Sequence, residues 1–309
     1  MEVADLSFFL AVARAGGVTR ASKELLTVQS NISSRIRALE GELGVELFRR
    51  HARGMNLTHA GELLVPYAER VTQLIREVTQ IVGDEANPLG RLNIGSMEST
   101  AGLRLPKVLS AFSAECPRVE LSLVTDTTEA LIAKVLDHRL DGAFVCGPVG
   151  HPDLVCDEVF VEQLVVASGP QVDDLEAVFA GQMPLKALVL RAGCAYRTRL
   201  EWILDQRDVP GPEILEFASL EGILGCVAAG MGITLLPIGV VMASQAASML
   251  NVHRLPEAQA RVQTLFIRRA DATMTPAMTR FVAHTRELDQ QEPQCALEHN
   301  TIENLRRIS

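Results

Sequence analysis

The sequence predicts a small helical module with a basic hairpin, then a long helix, then an α/β domain in two similar halves. Three observations predict it. Apolar residues recur at helical spacing in three short runs before residue 44, and a basic, turn-like stretch follows them. An apolar 3–4 spacing then runs from Leu64 to Ile81, and from Arg91 onward apolar strands alternate with amphipathic helices.

Of the 309 residues, 48% are hydrophobic and 22% charged, so the chain can bury more than one core. Aromatic residues make up only 4%, with Trp202 the single tryptophan, which leaves packing to aliphatic side chains and excludes an extended base-stacking platform. The net charge of −9 argues against a protein that coats nucleic acid. That charge is unevenly spread. Residues 1–57 hold eight Lys/Arg against six Asp/Glu, leaving 21 against 32 beyond, and five of the eight cations fall between Arg35 and Arg53. A basic patch beside an acidic remainder fits a DNA-contacting module attached to a domain that avoids DNA.

Leu6, Phe9, Leu10 and Ala13 give a first helix, ended by Gly16 and Gly17. A second, Arg20 to Leu26, has Ala21 for close crossing and Leu25 and Leu26 for its core face. A third, Gln29 to Glu42, buries Ile32, Ile36, Leu39 and Leu43. Its other face carries Gln29, Ser30, Asn31, Ser33, Ser34, Arg35 and Arg37, which are short or forked polar side chains able to read base edges and grip phosphate. Two short apolar stretches around a basic turn then predict a hairpin with Arg49, Arg50 and Arg53 near its tip, close to phosphates or the minor groove. Three helices and a basic hairpin make a winged helix-turn-helix, residues 1–58.

From Thr58 to about Val82 a single helix is expected, its seam Leu64, Tyr67, Val71, Leu74, Val78 and Ile81 spaced for a two-stranded coiled coil, with a bend at Pro66. A seam without a partner in its own chain predicts a homodimer through residues 59–87, and a dimer predicts an operator that is an imperfect inverted repeat of double-stranded DNA. Gly83, Pro88 and Gly90 mark a hinge.

The α/β domain is expected over residues 91–288. Strands at 91–96, 119–125, 140–147, 163–169, 186–190, 213–217, 233–237 and 264–269 alternate with helices at 102–115, 128–138, 196–206, 221–229 and 276–288, which predicts parallel units. One half is 91–162 with 266–288, the other 163–265. Residues 289–309 form a C-terminal extension, whose stretch from Ala296 to Ile308 is near-helical in spacing.

Residues 8–61, FFLAVARAGGVTRASKELLTVQSNISSRIRALEGELGVELFRRHARGMNLTHAG, resemble the N-terminal domain of LysR-type regulators, including the RALEGELGVELFRR and LTHAG segments. Ser30 departs from the proline common there. GCAYRTRLEWIL and VAAGMGITLLP resemble the periplasmic-binding-protein-like effector domain of the same family, and GSMESTAGLRLPKVL resembles its branch of amine and amino-acid regulators. The resemblance implies a DNA-binding transcriptional regulator in the cytoplasm. It further implies an effector held between the halves, at strand C-termini facing helix N-termini. The matching positions are Ser96, Met97, Glu98, Ser99 and Thr100; Thr127 and Thr128 beside Asp126; Cys146; Gly193 and Cys194; Phe217 and Ser219. Ser99 and Thr100 stand out as added donors. Glu98 repels a simple acid and pairs with an ammonium group, so an amine or amino acid is the expected effector. A homotetramer and contact with RNA polymerase are further candidate assemblies.

The motifs of dinucleotide binding, phosphate loops, serine hydrolases and zinc peptidases are absent, so neither catalysis nor a cofactor is expected. The six cysteines have no metal-ligand spacing. The N-terminus MEVADLSFFL lacks the pattern of a signal peptide, which counts against a transport binding protein, and no membrane partner is expected. A thiol-based redox regulator of the same fold is the alternative, with Cys146 and Cys156 closest in sequence and Arg197 able to activate Cys194.

Overall fold

The computed structural model describes residues 1–51, 54–82, 85–180, 185–209 and 211–291. Arg53, Gly83, Cys295 and the expected helix from Ala296 to Ile308 lie outside the described residues. Chain contacts divide the protein into two units, one built around Met1–Ala86 and one from Asn87 onward.

In the first unit α1 (Val3–Ala15), α2 (Val18–Glu24) and α3 (Gln29–Leu43) precede an antiparallel hairpin of β1 (Phe48–His51) and β2 (Gly54–Leu57), and α4 spans His59–Ile81. Phe9, Val12, Ala21, Ile32, Ile36, Leu39 and Leu47 are essentially fully buried, so the helical periodicity of the sequence is the core. α1 ends at Gly16 in the left-handed region. Its carbonyl accepts from the Met55 amide at 3.0 Å, and a Cβ on Gly54 would lie 2.5 Å from that oxygen, so only glycine lets the hairpin dock there. Glu40 fixes the hairpin from its other end, its Oε1 accepting from the amides of Leu47 (2.8 Å) and Phe48 (3.3 Å). Thr58 caps α4, accepting from the Gly61 amide. Gly61 has no room for a side chain, since a Cβ would fall 2.3 Å from the Leu47 carbonyl oxygen. The RALE and LTHAG motifs are therefore fasteners of the hairpin.

Two core assignments need correction. Leu26 is 93% exposed rather than buried, because α2 stops at Glu24 and the chain reverses through a left-handed residue at Leu26 (φ 49°), which turns the side chain to solvent. Leu43, in the last turn of α3, is 40% exposed. α4 runs through Pro66 as one helix. Of its seam, Leu64 packs on the first-unit core, whereas Tyr67, Val71, Leu74, Val78 and Ile81 are exposed along one stripe.

The second unit begins with β3 (Gly90–Ser96), α5 (Glu98–Leu103), α6 (Leu105–Glu115), β4 (Val119–Thr125), α7 (Thr128–Leu136) and β5 (Gly142–Cys146). β3 lies parallel to β4 and β5, as the alternation predicts. The single helix expected over 102–115 is instead two, meeting at Arg104, because Pro106 in the first turn of α6 has no N–H to continue a helix from α5. β6 (Leu154–Ser168) is twice as long as expected and crosses into the second half. That half contains α8 (Leu175–Phe179), β7 (Lys186–Leu190), α9 (Ala195–Asp205), β8 (Glu213–Phe217), α10 (Leu220–Ala228), β9 (Ile233–Pro237), α11 (Ile238–Ala243) and β10 (Asn251–Arg254). α12 (Glu257–Ala260) and β11 (Arg261–Arg269) bring the chain back, and α13 (Pro276–Gln291) closes it. β7 is parallel to β8 and β9, while β6 and β11 are antiparallel to their neighbours.

β11 pairs with β6 from Arg261 opposite Gln163 to Arg269 opposite Leu154, so the return crossing comes before Arg261, earlier than the position after 265 that the sequence suggested. Phe112, Phe144, Phe160, Phe266 and Phe281 back the first half. A second core runs from Leu131 and Val135 through Leu164–Ala167 into the second half, so the two halves share packing. No helix of the described residues is long and apolar enough to cross a membrane.

Candidate functional site

On α3, Gln29, Ser30, Asn31, Ser34 and Arg37 are exposed and Ser33 is half-buried. These form one polar face opposite Ile32, Ile36 and Leu39. Arg35 departs from the expected role. Its Nη1 lies 2.7 Å from Asp5 and 3.3 Å from Glu2, and its guanidinium sits 5.4 Å from the Phe8 ring, so it fastens α3 to α1 instead of standing free on the polar face. The Glu2 amide and Arg35 together hold the Asp5 carboxyl below the usual aspartate range against its desolvation. On the hairpin Arg49 is exposed, and the backbone of Arg50 lies in β1.

In the second unit a cleft of about 620 Å³ opens at the C-terminal ends of β3, β4, β7 and β8. Of the expected positions it gathers Met97, Glu98, Ser99, Thr127, Thr128, Cys194 and Phe217. The strand ends also bring Asp126, Leu190, Arg191 and Glu216 to its wall, and the first turn of α9 brings Tyr196. Asp126 follows a strand that had been recognised, but Arg191, two positions before the GCAYR segment, and Tyr196, inside it, were not singled out as site residues.

The remaining expected positions do not line this cleft. Ser96 is fully buried, its hydroxyl donating to the Met97 carbonyl, and Thr100 is 3% exposed on the inner side of α5. Cys146 and Gly193 line a neighbouring cavity of about 660 Å³ with Trp202 and Ile132. Ser219 caps α10, accepting from the Gly222 amide. Ser99 is 5% exposed and its hydroxyl is 3.3 Å from the Tyr196 hydroxyl, so the two bridge the cleft floor.

The charges of the wall are arranged in pairs, with one exception. Asp126 contacts Lys134 at 2.5 Å and Arg191 at 2.6 Å, and it also accepts from the Thr127 amide at 2.8 Å. Burial pushes its carboxyl up, but these donors outweigh that and hold it below the usual range. Glu216 contacts Arg197 at 2.8 Å. Glu98 has no cationic partner among the described residues. Its Oε1 accepts from the Leu220 amide at 3.2 Å, the first residue of α10, so a carboxylate of one half caps a helix of the other.

The thiols lie in a different regime. Burial pushes Cys146 up to about 12 and raises Cys194 despite the nearby Arg197, whose guanidinium is engaged by Glu201 and Glu216. Cys156 is raised by desolvation as well.

Comparison with known proteins matches residues 3–62 to the bacterial regulatory helix-turn-helix of the lysR family and residues 85–290 to the LysR substrate binding domain. The chain is 39% identical to the HTH-type transcriptional regulator GltR of Bacillus subtilis (strain 168) over 290 residues, 93% of this chain and 97% of that one. Its fold matches full-length OxyR from Pseudomonas aeruginosa with a TM-score of 0.68 at 21% identity, covering 94% and 95% of the two chains. It also matches full-length CbnR in complex with its target DNA, with a TM-score of 0.63 at 24% identity over 93% of this chain and 100% of that one.

Proposed function

The chain belongs to the LysR-type transcriptional regulators, DNA-binding proteins rather than enzymes that join a helix-turn-helix to an effector-binding domain, and from that premise we propose which residues read DNA and what the effector carries. The exposed face of α3 enters the major groove with Gln29, Ser30, Asn31, Ser34 and Arg37 toward the bases, and the hairpin with Arg49, Arg50 and Arg53 tracks the phosphates. The α4 stripe pairs with a second copy, so that two recognition helices meet an inverted repeat. Pairing of dimers into tetramers, contact with RNA polymerase and work in the cytoplasm belong to the same proposal.

Gln29→Ala is expected to cost operator binding about 1–3 kcal/mol and to relax preference at one base pair. Arg49→Ala should weaken binding to every sequence alike and lower the salt slope by about one. Electrophoretic titrations across salt concentrations read both effects, and unchanged operator affinity in both variants would remove α3 and the hairpin from the interface.

The effector carries a cationic nitrogen, as an amine or an amino acid does. The observation that supports this is Glu98, the wall carboxylate left without a counter-cation where Asp126 and Glu216 each have one. Control by thiol oxidation fits less well, since a buried thiol with a raised pKa supplies little of the reactive thiolate. Glu98→Gln keeps an acceptor for the Leu220 amide while removing the charge. Affinity for a cationic effector should fall by about 1.5–3 kcal/mol, with effector-free DNA binding unchanged. Calorimetry on both proteins with amines, amino acids and plain carboxylates decides it, and tight binding of acids alone, equal in the two proteins, sinks the cationic reading.

A further inference from the structure

We propose that Arg191 is a carboxylate subsite of the cleft and that the effector is therefore a zwitterionic amino acid rather than a simple amine. This rests on the cationic reading of Glu98 and deepens it.

An effector carboxylate needs a donor in the cleft, and two obvious ones are already taken. The N-terminus of α10 is capped by Glu98 through the Leu220 amide, and Arg197 is held between Glu201 and Glu216. Arg191 is the guanidinium on the cleft wall. It is 59% exposed at the end of β7, and its partner is Asp126 of the other half.

Asp126 is over-supplied with donors. Lys134, only 22% exposed, and the Thr127 amide remain on it if Arg191 leaves, so its charge stays compensated. Detaching Arg191, the exposed member of this pair, leaves the half-buried Asp126 with Lys134 and the Thr127 amide and so strands no buried charge. In exchange its planar fork can take an effector carboxylate in two parallel hydrogen bonds, an arrangement stronger than a single contact. Glu98 in the first half and Arg191 in the second then hold opposite ends of one molecule across the cleft. The apolar wall of Met97, Leu190 and Phe217 is left for its side chain, in a volume usual for small-ligand sites.

The test is calorimetry of the full chain against the twenty L-amino acids, each with its decarboxylated amine and its deaminated acid, leucine with 3-methylbutylamine and 4-methylpentanoate among them. The wild type should bind at least one amino acid about tenfold or more tighter than either truncated form, the range a charge-assisted pair commands. Arg191→Gln should bring that amino acid to within about threefold of its amine while the preference over the acid persists, and Arg191→Lys, with the charge but not the fork, should fall between. Glu98→Gln should do the converse. Unchanged thermal unfolding of each variant separates these effects from misfolding. A wild type that binds an amine as tightly as its amino acid overturns the Arg191 subsite alone. Binding of an amine with no binding of any amino acid likewise overturns the Arg191 subsite alone, equal binding of acid and amino acid overturns the cationic reading of Glu98, and no binding by any amino acid or amine overturns both.

Discussion

Leu74→Glu is expected to break the proposed homodimer into monomers and with it to abolish tight operator binding, while both folded units of each chain persist. Leu74 is 58% exposed in the middle of an apolar stripe that includes Tyr67, Val71, Val78 and Ile81. α4 has 23 residues, so the stripe spans most of a rod about 35 Å long. Apolar side chains at 3–4 spacing gain little from water and much from a second helix with the same seam. A glutamate there would place two unpaired charges in a two-fold interface, each costing several kcal/mol, so the dimer should weaken by at least about 3 kcal/mol, or about a hundredfold. Sedimentation equilibrium gives the assembly and electrophoretic titration the binding. A Leu74→Glu protein that remained dimeric at micromolar concentration would place the subunit contact elsewhere.

Arg104→Met should destabilise the second unit by about 3–5 kcal/mol, because it removes a cation from a buried carboxylate. Arg104 Nε lies 2.8 Å from Glu162 Oε1, with the two side chains only 6% and 8% exposed, and the guanidinium rests 5.5 Å from the Phe160 ring. The pair ties the junction of α5 and α6, directly behind Glu98 and Ser99, to the crossing strand β6. Replacing both partners by methionine should cost less than Arg104→Met alone, since no charge is then stranded. Urea titrations followed at Trp202, in the second unit, measure the difference. A single variant that unfolds at the wild-type midpoint would mean that water reaches Glu162.

The first unit was largely legible in its sequence because it is local: helix periodicity, glycine stops and the cap at Thr58 act within a few residues. What escaped there were interactions between distant positions, such as Arg35 with Asp5, which diverts a side chain that composition alone assigns to DNA. In the second unit the strands that alternate with helices were found. The first part of β6 was not, because Asp157, Glu158 and Glu162 interrupt its apolar pattern and only pairing with β11 makes it a strand. β10 and the short helices α8, α11 and α12 are too brief to show a period. The cleft was found in part for a similar reason. Positions that follow a recognised strand could be named, but whether a side chain lines the cavity, as Met97 and Phe217 do, or turns into the core, as Ser96 and Thr100 do, depends on the pleat and on the facing half. Glu98 stood out by its charge. That its carboxylate meets the Leu220 amide, 122 positions away, could only be seen in three dimensions.

The pairing of Gln163 with Arg261 makes the second half an insertion within a hairpin, with entry and exit side by side. A chain that joined β6 to β11 first would have to close a loop of about a hundred residues, an entropic cost of about 4 kcal/mol. Pairing of β10 with the far end of β6, Arg254 opposite Val165, closes most of that loop from inside the insertion. Once the second half has formed, only the six residues 255–260 separate the end of β10 from the start of β11. The pairing of β6 with β11, at least 98 positions apart along the chain, thus becomes a local closure, and the order of assembly follows from the route of the chain.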